Sequence, residues 1–154
     1  VSKLKRLVNF CIENDAQKCF PGWGSNKIEA YLRHHLLKDS LITAKDGEGN
    51  FVGVVCYWRA LWADDYGLVN GWQPDREKAD CIFLGILISI NPAALKCLYD
   101  LLIEKEPERI QRKAFAYRWK AGEFVRVNYI NLKKTYKLIA WAAHQIRHPI
   151  LRNP

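Results

Sequence analysis

Arg112, Arg118 and Arg126 are the first residues here whose types and spacing suggest a chemistry. They fall in one stretch, 109–130, that reads as a β-hairpin. Its expected register puts all three on one face over the small side chains of Ala114 and Ala116. Guanidinium groups gathered over small residues suit an oxyanion, because each offers a planar fork of donors to carboxylate or phosphate. The wider charge distribution agrees. Residues 109–154 hold 11 lysines and arginines against a single acid, Glu123, whereas residues 1–108 hold 13 against 15. A positive C-terminal third fits a nucleic-acid backbone or the phosphates of a nucleotide such as coenzyme A. It equally fits a solvated helix face and a hairpin edge protected by its charge from aggregation.

The other reactive side chains are less organised. The five cysteines, Cys11, Cys19, Cys56, Cys81 and Cys97, are odd in number and form no C-x-x-C pair. His34 and His35 are adjacent, so on a helix they point in different directions. Neither pattern matches a metal site, so no metal is expected, and free, buried thiols are the reading. Cys56 and Cys81 are nucleophiles by type, but no histidine is spaced to activate them. Trp58, Trp62 and Trp72 flank a long stretch, 60–79, without clean periodicity. Such a loop often carries function, and its tryptophans either wall a pocket or anchor the loop.

The elements that must position these groups follow from periodicity. Leu4, Leu7, Val8 and Cys11 make residues 2–14 an amphipathic helix. After Pro21–Gly24, Asn26 and Glu29 have the spacing of a capping box. Ile28, Tyr31, Leu32, His35 and Leu36 give a second helix its apolar stripe. Residues 40–45 and 51–58 read as an antiparallel hairpin around the turn 46–50. The apolar run 80–90 is a central strand. Asn91-Pro92 then supplies a cap and a proline at the first helical position for a helix over 93–105, with Leu95, Leu98, Tyr99, Leu102 and Ile103 on its buried side. In the hairpin 109–130, Lys120-Ala121-Gly122 reads as a three-residue turn that pairs Tyr117 with Val125 and Phe115 with Val127. A last amphipathic helix is expected over 133–146, with Tyr136 on its buried stripe. Residues 149–154 read as a loose tail.

A chain of 154 residues, 49% hydrophobic and 26% charged, is one globular domain, here 1–148. No stretch approaches the roughly 20 apolar residues of a membrane span. The basic N-terminus runs into an amphipathic pattern rather than a signal-peptide apolar block, so a cytoplasmic protein is expected. The element order gives an α/β (α+β) fold: a mixed, mostly antiparallel central sheet with helices on both faces and a C-terminal helix. The helix after Asn91 is the crossover that a parallel strand pair requires.

In this order the chain resembles the GNAT, or N-acetyltransferase-like, superfamily over about residues 1–130. The resemblance is carried by Leu41–Trp58 (LITAKDGEGNFVGVVCYW) and by Ile86–Leu102 (ILISINPAALKCLYDLL), which look like that family's second and third strands and its fourth strand and third helix. It implies an acyltransferase that moves an acyl group from a CoA-type thioester to an amine. The acyl group would lie along Gly85, Ile86, Leu87 and Ile88, with the phosphates near Asn91 and Ala93. It implies Asp80 as the base for the amine, with Tyr129 or Tyr136 as the acid for the leaving thiolate. The chain departs from the family where Ser89-Ile90-Asn91-Pro92-Ala93-Ala94 replaces a Q/R-x-x-G-x-G/A loop. No glycine is present there, and Pro92 removes one backbone donor from the helix head. A tight hairpin at 120–122 also stands where the family usually has a helix. The alternative is a non-catalytic binding module that uses the basic C-terminal third on nucleic acid or on a protein partner, or that self-associates as a homodimer.

Overall fold

The computed structural model describes residues 2–15, 19–20, 22–63, 75–132, 134, 135, 137 and 150–152. Three helices, α1 (Lys3–Asn14), α2 (Ser25–Leu37) and α3 (Pro92–Lys105), accompany six strands: β1 (Leu41–Asp46), β2 (Phe51–Ala60), β3 (Cys81–Ser89), β4 (Ala114–Lys120), β5 (Glu123–Tyr129) and β6 (Ile150–Arg152). The strands form one sheet in the order β5-β4-β3-β2-β1-β6. Among the described residues only β3 and β4 run parallel, and α3 is the crossover between them. The mixed, mostly antiparallel sheet expected from the sequence is therefore present.

Each face of the sheet buries its own core. Leu7, Val8 and Cys11 of α1 and Ile28, Tyr31 and Leu32 of α2 share one cluster with Val54, Cys56, Trp58, Phe83 and Phe115. Leu98, Tyr99 and Leu102 of α3 share the other with Ile42, Val55, Tyr57, Ile82, Leu84, Ala114 and Ala116. The helix starts follow local chemistry. Ser2 caps α1 through Lys5 N–H, and Asn91 caps α3 by accepting from Ala94 N–H at 2.8 Å, with Pro92 directly after it.

The structure corrects several local expectations. The α2 helix begins at Ser25 behind Gly24 and has no side-chain cap, so Asn26 and Glu29 do not form a capping box. Leu36 and Ile103 lie on exposed sides of their helices. Ile150–Arg152 are not loose: they add to the free edge of β1. Of the helix expected over 133–146, only Lys134, Thr135 and Lys137 are described, behind an Asn131 side chain that accepts from Lys134 N–H; the rest lies outside the described residues.

A buried ionic cluster ties the C-terminus of α3 to β2. The Glu106 side chain is fully buried. It accepts two bonds from Arg59, each 2.8 Å, and one from the Tyr57 hydroxyl at 2.6 Å. Arg59 also lies 3.5 Å from Asp75, which Lys38 approaches at 3.1 Å. A carboxylate so deep is tolerated because both oxygens are satisfied.

Of the adjacent histidines, His35 is fully buried. Its Nδ1 lies 2.7 Å from Ser40 Oγ, and its ring packs 4.3 Å from Trp58 and 4.8 Å from Tyr31. Burial, reinforced by His34 and Lys38, pushes its pKa from 6.5 down to about 3. The unfolded chain therefore binds a proton that the folded one refuses between those values. Stability is full above pH 6.5 and falls as pH drops through the window. Urea unfolding at pH 7.5 and pH 5.0 should show His35→Gln losing about 2 kcal/mol less than the unaltered protein over that interval, at about 1.4 kcal/mol per pH unit below 6.5. Equal losses would mean that His35 titrates normally in the fold.

Candidate functional site

The site begins with one missing side chain. A Cβ at Gly85 would sit 2.3 Å from the Tyr31 hydroxyl oxygen and 2.4 Å from Trp58 Cζ3. Tyr31 and Trp58 thus lie directly on the backbone of β3. At the same point β3 carries an extra residue. Tyr57 pairs with Leu84 and Cys56 with Ile86, which leaves Gly85 unpaired as a bulge. The bulge resets the alternation of the strand. Cys81 and Phe83 face α1 and α2 before it, and Ile86 and Ile88 face them after it. A bulged strand bends, and here the pairing with β4 stops: Ile82, Phe83 and Leu84 pair with Ala114, Phe115 and Ala116, and no pair follows. Beyond that point β3 runs on to Ser89 and β4 to Lys120 without a mutual ladder.

Gly85, Ile86, Leu87 and Ile88, the expected acyl-binding residues, all lie on this unpaired half of β3. Ile86 and Ile88 are buried, while Gly85 and Leu87 are half-buried. The Leu87 backbone N–H donates to the thiol of Cys19. Burial, with Asp15 beside it, pushes that thiol up to about 11 against the opposing pull of Arg118 and the Leu87 N–H. Nothing in the sequence pointed to Cys19, because an unpaired cysteine in an irregular segment has no periodic signature. Asn91 spends its side-chain oxygen on the α3 cap, and Ala93 stands half-buried in the first turn.

The two expected catalytic residues that are described stand elsewhere. Asp80 precedes β3, about 16 Å along the strand from Gly85 at ordinary strand rise. Its carboxylate accepts from Trp62 N–H at 2.8 Å and holds the loop after β2. Tyr129 on β5 pairs with Ala114, itself level with Ile82, so it also lies toward the start of β3. Tyr136 and Trp72 lie outside the described residues. The thiols at Cys56 and Cys81 are buried, which pushes the first well up and the second to about 12; neither is an activated nucleophile.

The three arginines do not share a face. Ala121 and Gly122 both have positive φ, 49° and 84°, so the β4–β5 turn has two residues rather than three. Lys120 then pairs with Glu123, Tyr117 with Arg126 and Phe115 with Asn128. That one-residue slip moves Arg126 to the opposite side of the hairpin. There its guanidinium lies 3.9 Å from the Phe115 ring centroid and donates to the Trp62 carbonyl and the Asn128 side chain, each at 2.8 Å. Arg118 stays with Ala114 and Ala116. Arg112, exposed, lines a cavity of about 530 Å³ with Ile103, Glu108, Gln111, Ile130, Asn131 and Lys137. A single three-arginine anion site is excluded by this register. Among the described residues no group of three or more His, Cys, Asp or Glu could hold a metal ion, and no helix is long and apolar enough to cross a membrane.

Because the bulge depends on the absence of a side chain, Gly85→Ala should lose about 2 kcal/mol or more in equilibrium urea unfolding, as overpacked cores do. An unchanged midpoint would mean that Tyr31 and Trp58 do not rest on this strand.

No protein-family model, no curated protein and no solved structure matches this chain.

Proposed function

We propose that the protein is an acyltransferase of the GNAT kind, which takes an acyl group from a CoA-type thioester and passes it to an amine. The observation that carries this is the separation of β3 and β4, the only parallel strand pair among the described residues, immediately after a glycine bulge. Such a separation leaves backbone groups on a central strand without a ladder, at the depth where a thioester carbonyl needs a donor. The α3 helix starts at the far end of the same half-strand, which suits a ligand with a reactive end beside Leu87 and phosphates toward Asn91 and Ala93.

Two features shape the expected chemistry. Pro92 and the absence of glycine leave fewer donors at the head of α3, so phosphate contributes less to affinity and the acyl and pantetheine parts contribute more. Asp80 and Tyr129 stand far from Gly85, so the amine would lose its proton to another group. Tyr31 is the nearest hydroxyl to Gly85, but burial raises its pKa well above 10, and it suits donating a hydrogen bond better than accepting a proton. Five cysteines without a disulfide among the described residues fit the reducing cytoplasm, where acyl-CoA is available.

Calorimetric titration with acetyl-CoA and with longer acyl-CoAs tests the proposal. Binding with a Kd below about 1 mM, about −4 kcal/mol, that tightens with acyl length is expected. No detectable heat with any of them at millimolar concentration would overturn it.

A further inference from the structure

The other partly buried arginines of this fold have been given partners. Arg59 is held by Glu106, and Arg126 by the Trp62 carbonyl, Asn128 and the Phe115 ring. Arg118 has not. It lies on β4 two residues past Ala116, the last residue paired with β3, and it follows the small Ala114 and Ala116 on the α3 face. Its Nη1 donates to the carbonyl of its own neighbour Tyr117 at 3.2 Å. Its Nη2 is buried and has no acceptor. Among the described residues no carboxylate pairs with it. A guanidinium is charged at every working pH, so the desolvated nitrogen cannot escape its cost by losing a proton. An unmet buried donor of this kind calls for an acceptor that the chain does not itself supply.

Its location narrows what it would hold. Ala116 is level with Leu84, so Arg118 stands near the level of Ile86, whereas Asn91 at the head of α3 is about 16 Å further along. An anion at Arg118 is therefore not the phosphate end of a ligand that also reaches α3. On one side Arg118 opposes the rise of the Cys19 thiol at the opening, and on the other the rise of the Tyr99 phenol under α3.

Resting on the acyl-transfer reading, we infer that Arg118 binds a free carboxylate on the reacting end of the ligand, so that either the acyl group or the acceptor amine is itself an acid. A dicarboxylic acyl group or an amino-acid acceptor would each supply it. The planar carboxylate matches the guanidinium fork, and the opening between β3 and β4 brings the ligand to it.

Cys19 can report on the site without any catalysis. The full-length chain is alkylated with iodoacetate and with the neutral iodoacetamide, and Cys19 modification is followed by peptide mass spectrometry. In both reactions the thiolate displaces iodide. Asp15 also faces this thiol, so Arg118 is read by its removal: the iodoacetate-to-iodoacetamide rate ratio at Cys19 should fall about tenfold in Arg118→Leu, which loses a fixed cation that draws in the charged reagent, and Arg118→Lys should keep part of it. Circular dichroism checks folding, and if the leucine variant does not fold, Arg118→Gln replaces it. A ratio that is the same in the unaltered protein and in the folded variant overturns the inference.

Protection of Cys19 then separates the sources. Succinate should protect it. Stronger protection by succinyl-CoA than by acetyl-CoA puts the carboxylate on the acyl group; protection by glutamate added to acetyl-CoA puts it on the acceptor. Protection by succinate with no effect of either thioester keeps the carboxylate site and removes the acyl-transfer reading instead. Inorganic phosphate protecting as well as succinate at equal concentration overturns the assignment of a carboxylate.

Discussion

Where Tyr31 and Trp58 meet the backbone of β3 there is room for a hydrogen atom and nothing larger. That contact settles what happens along the rest of the strand. With Gly85 pressed from one side and unpaired with β2, β3 gains a residue and turns its later side chains over. Ile86 and Ile88 rejoin the core on the α1–α2 side, and the ladder to β4 is lost beyond Leu84 and Ala116. The aromatic packing is therefore more than ballast for the core. It converts a local absence of volume into an opening between two strands that otherwise would stay zipped.

The surroundings hold that opening in place from both faces. On one side an aromatic row, Trp58, Phe83 and Phe115, stacks at 5.3 and 5.0 Å between ring centroids, and the Arg126 guanidinium lies over Phe115. On the other, α3 packs through Leu98 and Leu102, and its end is fastened to β2 by the Glu106–Arg59–Tyr57 cluster. The paired halves of β3 and β4 are thus anchored by large buried groups. The unpaired halves carry Leu87 and Arg118, and Cys19, from the segment between α1 and α2, meets both.

The elements were legible in the sequence because each had a local cause. Asn91-Pro92 announces α3, the spacing of Leu7, Val8 and Cys11 announces α1, and the valine-rich run before Trp58 announces β2. The opening was half legible. Gly85–Ile88 could be placed on a central strand, but a bulge inside a continuous apolar run leaves no break in the pattern, since both faces of that strand are buried. The β4–β5 register was illegible for a different reason. Ala121 takes a positive φ that alanine rarely adopts, so the sequence suggested a longer turn with only the glycine in that region. The one-residue difference is what scattered Arg126 from Arg118. Cys19, Arg118 and Leu87 come from three distant segments, and only the folded sheet brings them to one place.

Between β3 and β4 the sheet is closed before Gly85 and open after it. Residue-resolved amide hydrogen exchange along β3 tests this most directly. Ile82 donates to the Lys113 carbonyl within the paired half, whereas Leu87 lies beyond the last β3–β4 pair, with its N–H toward the Cys19 thiol. Ile82 should exchange near the rate of global unfolding and Leu87 through a much easier local opening, faster still in Cys19→Ala. Equal protection at the two positions, unaffected by that substitution, would contradict it.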